Sequence, residues 1–378
     1  MTGWTSAVSA GRPGRARAAD GGAGRTGRRG RAGLRTAPVA LRRSIACTVL
    51  GALLVAVAVV ALGSGPVALS PSRVLEIIGH GLGWGSAEVT SAESAVIWHV
   101  RMPRIVIAAL VGAALATSGV VMQGVFRNPL AEPGVIGVSA GASVGAVTAL
   151  YFGLTAISRW LLPGLAFLGA MIAVTLVFAV SQLARRQVTA TLLLVGIAVN
   201  AFLGSIISIM LATATTEEDL RSITFWLQGG LDARTWDHVG LVLVPILAVC
   251  GLLMVFGRDL NVMVLGDDQG RATGVDVARS RIVMMVLAAC VTGIAVSVTG
   301  TISFVGMVVP HALRLVLGPD HRVLLPASAL GGAAFLVLAD LVARAAFDPV
   351  SLQVGVVTSI IGAPVLLLFV IRNRRTVL

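Results

Sequence analysis

No lysine occurs in the 378 residues; all 29 basic side chains are arginine. A Walker A loop needs its lysine to reach the phosphates, and Schiff-base chemistry needs a lysine amine, so neither is open to this chain. If ATP drives the protein, another subunit must bind it. Charge of either sign is scarce: 12% of residues are charged against 56% hydrophobic, with a mean hydropathy of +0.93. That is too little polar surface for a water-soluble globule of this length, which leaves a polytopic membrane protein. The three cysteines, Cys47, Cys250 and Cys290, sit in apolar runs without C-x-x-C spacing, so they read as packing residues and say nothing firm about redox compartment. No His/Asp/Glu cluster and no Ser-His-Asp arrangement supports a membrane enzyme; no catalytic residue, metal or cofactor is expected.

What is there begins with a basic tail. The net charge of +12 would suit nucleic acid, but residues 1–43 hold ten arginines against one aspartate, which leaves +3 for the remainder. Almost free of large apolar side chains, those residues cannot bury a core. They read as a disordered cytoplasmic tail ahead of a transmembrane domain over 44–378, and nucleic acid is not an expected partner. Arg42-Arg43 before an apolar run mimics a twin-arginine export signal. The run 44–62 is long for a signal core and no convincing A-x-A site follows, so it is read as an uncleaved first span.

Apolar runs mark ten candidate spans: 44–62, 104–126, 135–152, 161–183, 190–212, 238–257, 282–300, 303–317, 323–343 and 354–371. Ten spans put both termini on one side. With that side cytoplasmic, 22 of the 29 arginines fall inside, in keeping with the positive-inside rule. The span 303–317 is weak, with Pro310 in its middle, and such a broken segment is tolerated only where it is buried in protein or lines a cavity. The runs beginning Val195-Gly196 and Val354-Gly355 look alike yet run in opposite directions in this topology, a faint sign of inverted repeats.

The chain is organised around residues 101–145. Arg101 and Arg104 flank a proline, an apolar run from Ile105 to Phe126 follows, and the helix then breaks at Arg127-Asn128-Pro129-Leu130-Ala131-Glu132-Pro133-Gly134. Two prolines in five residues remove two backbone donors and forbid helix at the residue before each. A second apolar stretch rich in Gly, Ala and Ser then begins, and small residues let helices approach closely in lipid. The order R-x-P-R, G-A-A-L-A-x-S-G-x-x-M-Q, R-N-P-L-A-x-P-G-x-x-G-V-S-x-G-A resembles the permease subunits of ABC importers for iron-siderophore complexes, haem and vitamin B12. The likeness covers about residues 44–375.

That resemblance implies an all-α polytopic permease of about ten transmembrane helices, with type II ABC importer architecture and inverted repeats. It implies two ATPase subunits, an extracytoplasmic substrate-binding protein, a second permease subunit (a copy or a paralogue), and the lipid of the cytoplasmic membrane around them. The ATP would be hydrolysed elsewhere, so the chain itself is expected to be no enzyme. The commonest cargo of the family is an iron(III)-siderophore, with haem or vitamin B12 as the alternative.

Four constellations carry candidate function. On residues alone, Arg101, Arg104 and Arg344 are snorkelling side chains, with Arg344 in a local pair with Asp340. The resemblance makes these three the docking arginines for acids of the binding protein, and Arg104→Glu is then expected to weaken docking while leaving the fold intact. The stretch Leu265, Gly266, Asp267, Asp268, Gln269, Gly270, Arg271, Ala272, Thr273, Gly274, Val275 is on composition a solvated loop; its form is similar to the family's coupling segment for the ATPase. Gly270 stands where alanine is usual and Thr273 where leucine is common, so a less rigid coupling helix is expected. Residues 301–314 resemble the G-F-V-G-L-x-x-P-H-x-x-R signature, and His311 after Pro310 is read as a structural histidine satisfied by backbone. Gln123, Asn128 and Asn200, with the helix-breaking Pro129, are polar groups at membrane depth that either line the pathway or bond between helices. Last, Glu217, Glu218 and Asp219 are read as solvated acids, and Phe225-Trp226-Leu227-Gln228-Gly229-Gly230 is similar to the family's W-x-x-G segment near the outer gate, a resemblance that implies a short helix flanking the pore mouth. An ion-driven secondary transporter would need buried acids, and only Asp340 comes near that description.

Overall fold

The computed structural model describes residues 38–65, 67–84, 88–183, 188–266, 270, 274, 276–346 and 352–373, and among these there is no strand. In chain order the helices are α1 (Val39–Gly63), α2 (Pro71–Gly81), α3 (Ser91–Phe126), α4 (Val138–Tyr151), α5 (Leu161–Leu183), α6 (Val188–Ala212), α7 (Glu217–Gln228), α8 (Trp236–Val255), α9 (Gly257–Leu265), α10 (Val277–Thr299), α11 (Val305–Leu317), α12 (His321–Ala345) and α13 (Val354–Asn373). Every expected span falls on one of them. Seven are long and apolar enough to cross a membrane, namely α1, α3, α5, α6, α8, α10 and α12; α4, α11 and α13 are shorter apolar helices. The first begins five residues earlier than expected, because Pro38 stands at its N-cap. Arg42 is therefore helical, buried, and donates to the Leu317 carbonyl.

Burial ranks the helices. In α3 83% of the most apolar window is buried, against 67% in α10 and α12 and 17% in α1 and α6, so α3 is the axis of the bundle. Its glycines explain the close packing. A Cβ at Gly119 would stand 1.8 Å from the Gly306 carbonyl oxygen, and one at Gly112 2.2 Å from that of Gly332. Backbones touch there because no side chain intervenes, which in lipid is a main source of helix association.

Two half-helices start in the middle of the bundle and leave it in opposite directions. α11 begins beside Gly119, two turns before the end of α3, and ends at Leu317 against Arg42. α4 begins beside Asn200, halfway along α6, and ends where Tyr151 donates to Thr213 beyond the end of α6. The paired V-G runs occupy matching places: a Cβ at Gly196 would meet the Val135 carbonyl at 2.2 Å, before α4, and one at Gly355 would meet the Thr301 carbonyl at 3.0 Å, before α11. The inverted repeat is thus built into the packing.

Two surface helices were not legible as spans. α2 starts with Pro71 at its first position and Ser70 accepting from the Arg73 amide, and it buries Val74 and Ile77 on one face only. α7 gathers Glu217, Glu218 and Asp219 in its first turn behind the Thr216 cap. Glu217 and Glu218 are exposed, as read, whereas Asp219 is half-buried and accepts from the Thr216 hydroxyl; their place at a helix N-terminus gives all three a favourable dipole interaction.

Candidate functional site

Arg101, Arg104 and Arg344 meet at the end of the bundle where α3 starts and α12 finishes. Arg101 is 6% exposed and donates to the Leu62 and Val67 carbonyls at 2.5 and 2.6 Å. Arg104 grips Asp340 through Nε and Nη2 at 2.9 and 2.7 Å, and its Nη1 reaches Asp232 at 2.6 Å. Arg344 holds the other oxygen of Asp340 at 3.1 Å and donates to the Ser64 and Ala61 carbonyls. Asp340 has no exposed surface; two arginines compensate its charge, as a buried carboxylate requires. The local Asp340–Arg344 pair is real, and the longer link to Arg104, across 236 residues, could not be read from spacing. All three guanidinium groups are spent on partners inside the chain. An Arg104→Glu reversal would set a third acid against Asp340 and Asp232, so the expectation that it spares the fold does not survive the geometry.

The second constellation is the junction of the half-helices. Pro310 has no N–H to give the Gly306 carbonyl one turn back. Gln123 on α3 supplies the missing donor: it is 3% exposed, and its Nε2 donates to the carbonyls of Gly306 and Met307 at 3.3 and 3.2 Å. Asn200 does the same in the other repeat, donating to the carbonyls of Gly134 and Val135 at 3.1 and 3.4 Å. Asn128 accepts from the Leu130 amide at 3.0 Å and shapes the turn around Pro129. Of the two roles left open for these residues, bonding between elements is the one the contacts display. His311 departs from the reading given to it. Its Nδ1 is buried without a partner among the described residues, and its ring packs on Phe369 with centroids 4.1 Å apart.

Glu132 is the residue that sequence reasoning missed here. It looks like a loop acid between two prolines, yet the loop is folded into the bundle and leaves Glu132 half-buried, on the wall of a cavity at the head of α11. Phe304, at the N-cap of α11, has φ +69°, the left-handed conformation. The cavity, about 20 Å³ and room for a single water, is lined by Glu132, Ser139, Thr292 and Ser303. A carboxylate of the first repeat therefore sits beside the start of a half-helix of the second.

The third constellation lies at the opposite end. α9 ends at Leu265, which is 65% exposed, and Gly266 takes φ +126°. Asp267, Asp268, Gln269, Arg271, Ala272, Thr273 and Val275 lie outside the described residues. Gly270 donates to the Gly266 carbonyl at 3.0 Å, and a Cβ on it would stand 2.4 Å from a Val277 methyl. Its packing against Val277 gives the glycine a steric reason to stand where alanine is usual. Gly274 adopts φ +82°. Nearby, burial acts to raise the Asp320 carboxyl, but hydrogen bonds from Arg322 and Asn261 outweigh it and hold the group down at about 2.

These features can be set beside known proteins. Residues 53–372 match the FecCD transport family. The cobalamin import permease of Halobacterium salinarum is 41% identical over 314 residues, covering 80% of this chain and 83% of that one. The hemin transport permease of Yersinia pestis is 38% identical over 340 residues, covering 86% and 96%. Among solved structures, a metal-chelate type ABC transporter in an inward-facing conformation superposes with a TM-score of 0.76 at 33% identity, covering 86% of this chain and 98% of that one. With the family matched over residues 53–372 and the overall fold shared with that transporter, the chain belongs to the FecCD transport family and is an ABC importer permease.

Proposed function

We propose that the chain carries an iron(III)-siderophore across the cytoplasmic membrane, both termini facing the cytoplasm, in a pair of permease subunits served by two ATPases and a binding protein. What supports the cargo class is the 33% identical solved neighbour, described as a transporter of metal-chelate type. Residues 265–276 are the segment pressed by the ATPase, and the exposed Leu265 marks where it leaves the bundle. Docking of the binding protein uses the Arg104 end, where Asp232, with a 46% exposed side chain, is the carboxylate that a partner's acid would replace on Arg104.

A second cargo, cobalamin, is favoured by the 41% identical relative named for it. Uptake of radiolabelled ferric hydroxamate, haemin and cyanocobalamin decides between them, measured in an importer-deficient host supplied with the permease, its ATPase and its binding protein. Iron accumulation lost on omitting the ATPase supports the proposal. Cobalamin or haemin uptake without ferric hydroxamate uptake refutes the siderophore and leaves the family assignment standing.

A further inference from the structure

At the Arg127 end of the bundle, α3, α9 and the turn joining α11 to α12 enclose a cavity of about 710 Å³. Three arginines reach it from three elements: Arg42 of α1, Arg127 at the end of α3 and Arg314 of α11. Among the described residues the one acid on its wall is Asp320, already held by Arg322 at 2.9 Å and by Asn261 at 2.8 Å. Arg42 and Arg127 bond to the carbonyls of Leu317 and Met263. Arg314 differs: it is partly buried, and no ion pair or side-chain hydrogen bond is found for it among the described residues. A guanidinium withdrawn from water at a membrane face with no counter-charge is a costly arrangement, and it is relieved by an anion.

The surroundings say which anion. Val264 and Leu265 line the same cavity and are 45% and 65% exposed, and Leu315, beside Arg314, is 56% exposed. Cationic side chains next to exposed aliphatic ones suit a ligand with a negative head and an apolar tail. The floor is preorganised, since Asn261 Oδ1 accepts from the His321 amide at 2.9 Å and from its ring Nδ1 at 2.7 Å. We propose that this cavity is a binding site for the phosphodiester headgroup of an acidic phospholipid, phosphatidylglycerol in the simplest case, with Arg314 as the primary phosphate contact and Arg127 and Arg42 beside it. Basic pockets between membrane helices are suited to such headgroups, and guanidinium groups to phosphate oxygens. The site is independent of the cargo.

Native mass spectrometry of the full-length permease titrated with dioleoyl phosphatidylglycerol, dioleoyl phosphatidylcholine or inorganic phosphate tests it. The wild-type chain should retain phosphatidylglycerol at least tenfold more tightly than phosphatidylcholine. Arg314→Gln should abolish that preference, Arg314→Lys should restore most of it, and Arg159→Gln at the other end should leave it unchanged. If the glutamine variant does not fold, the lysine variant and the wild-type selectivity still decide. Equal retention of the two lipids, or an Arg314→Gln chain as selective as wild type, overturns the proposal. Retention of inorganic phosphate without lipid selectivity shows a free-anion site and overturns the lipid. Loss of ATPase-subunit binding in Arg314→Gln with lipid retention unchanged assigns the cavity to that protein partner and also overturns it.

Discussion

Replacing Arg104 by Gln removes three donor contacts to Asp340 and one to Asp232 while keeping a side chain of similar length. Breaking one side of a buried ion pair costs about 3–5 kcal/mol when the remaining charge is left without any partner. Asp340 is not left so, because Arg344 still holds it at 3.1 Å, which places the expected loss at the lower bound, about 3 kcal/mol. The Asp232 contact adds little, because a half-exposed carboxylate gains at most about 1 kcal/mol from such a pair. Asp340→Asn takes away the buried charge itself; Arg344 keeps its two carbonyl acceptors and Arg104 keeps Asp232, so a loss of about 2 kcal/mol is expected from the charged hydrogen bonds. With both changes present, Gln and Asn form a neutral pair, and the cycle should show a coupling of about 2 kcal/mol, within the range for residues in one network. Unfolding in mixed micelles titrated with SDS, followed by the fluorescence of the six tryptophans, measures all four chains. A coupling below about 0.5 kcal/mol, the usual scatter for independent sites, would refute the claim that this ion pair ties α3 to α12.

Two further outcomes follow from the same contacts. Gly119→Ala would force a Cβ to 1.8 Å from the Gly306 oxygen, whereas Gly51 has open space around it; the first should lower the melting temperature sharply in detergent, the second should not, and equal shifts would contradict the backbone contact between α3 and α11. Glu132→Gln keeps a polar side chain beside Ser139 and Ser303 on the small cavity, while Glu132→Leu sets an apolar one against them, so the leucine variant should be the less stable of the two by about 1–3 kcal/mol; SDS unfolding of both with the same midpoint would remove Glu132 from any part in joining the two repeats.

The seven long helices were legible because each is a long apolar run, and length and hydropathy are local properties; 135–152 and 303–317, read as spans, are instead the half-helices α4 and α11 of 14 and 13 residues. Asp340 with Arg344 was legible for a related reason: four residues on a helix is one turn. Arg104 with Asp340 was not, since nothing in the sequence links positions 236 apart. Glu132 shows the opposite failure. Flanked by prolines it reads as a surface turn, and only the folding of that turn into the bundle brings it to the head of α11. Gln123 could have been anticipated by asking who serves the carbonyl that Pro310 leaves free, but the answer lies 183 residues away. α2 escaped notice because eleven residues with a one-sided apolar stripe are too short to be a span.

Gln123 and Glu132 both belong to the first half of the chain; Gln123 fastens the start of a helix in the second, and Glu132 shares the small cavity at that helix's head. Each repeat is therefore stitched into its mirror image at mid-depth, and neither can tilt alone without unpicking polar contacts in a place where water is not on hand to replace them. Any movement of one repeat against the other would break these contacts first, so this knot at the centre is expected to move as a solid piece.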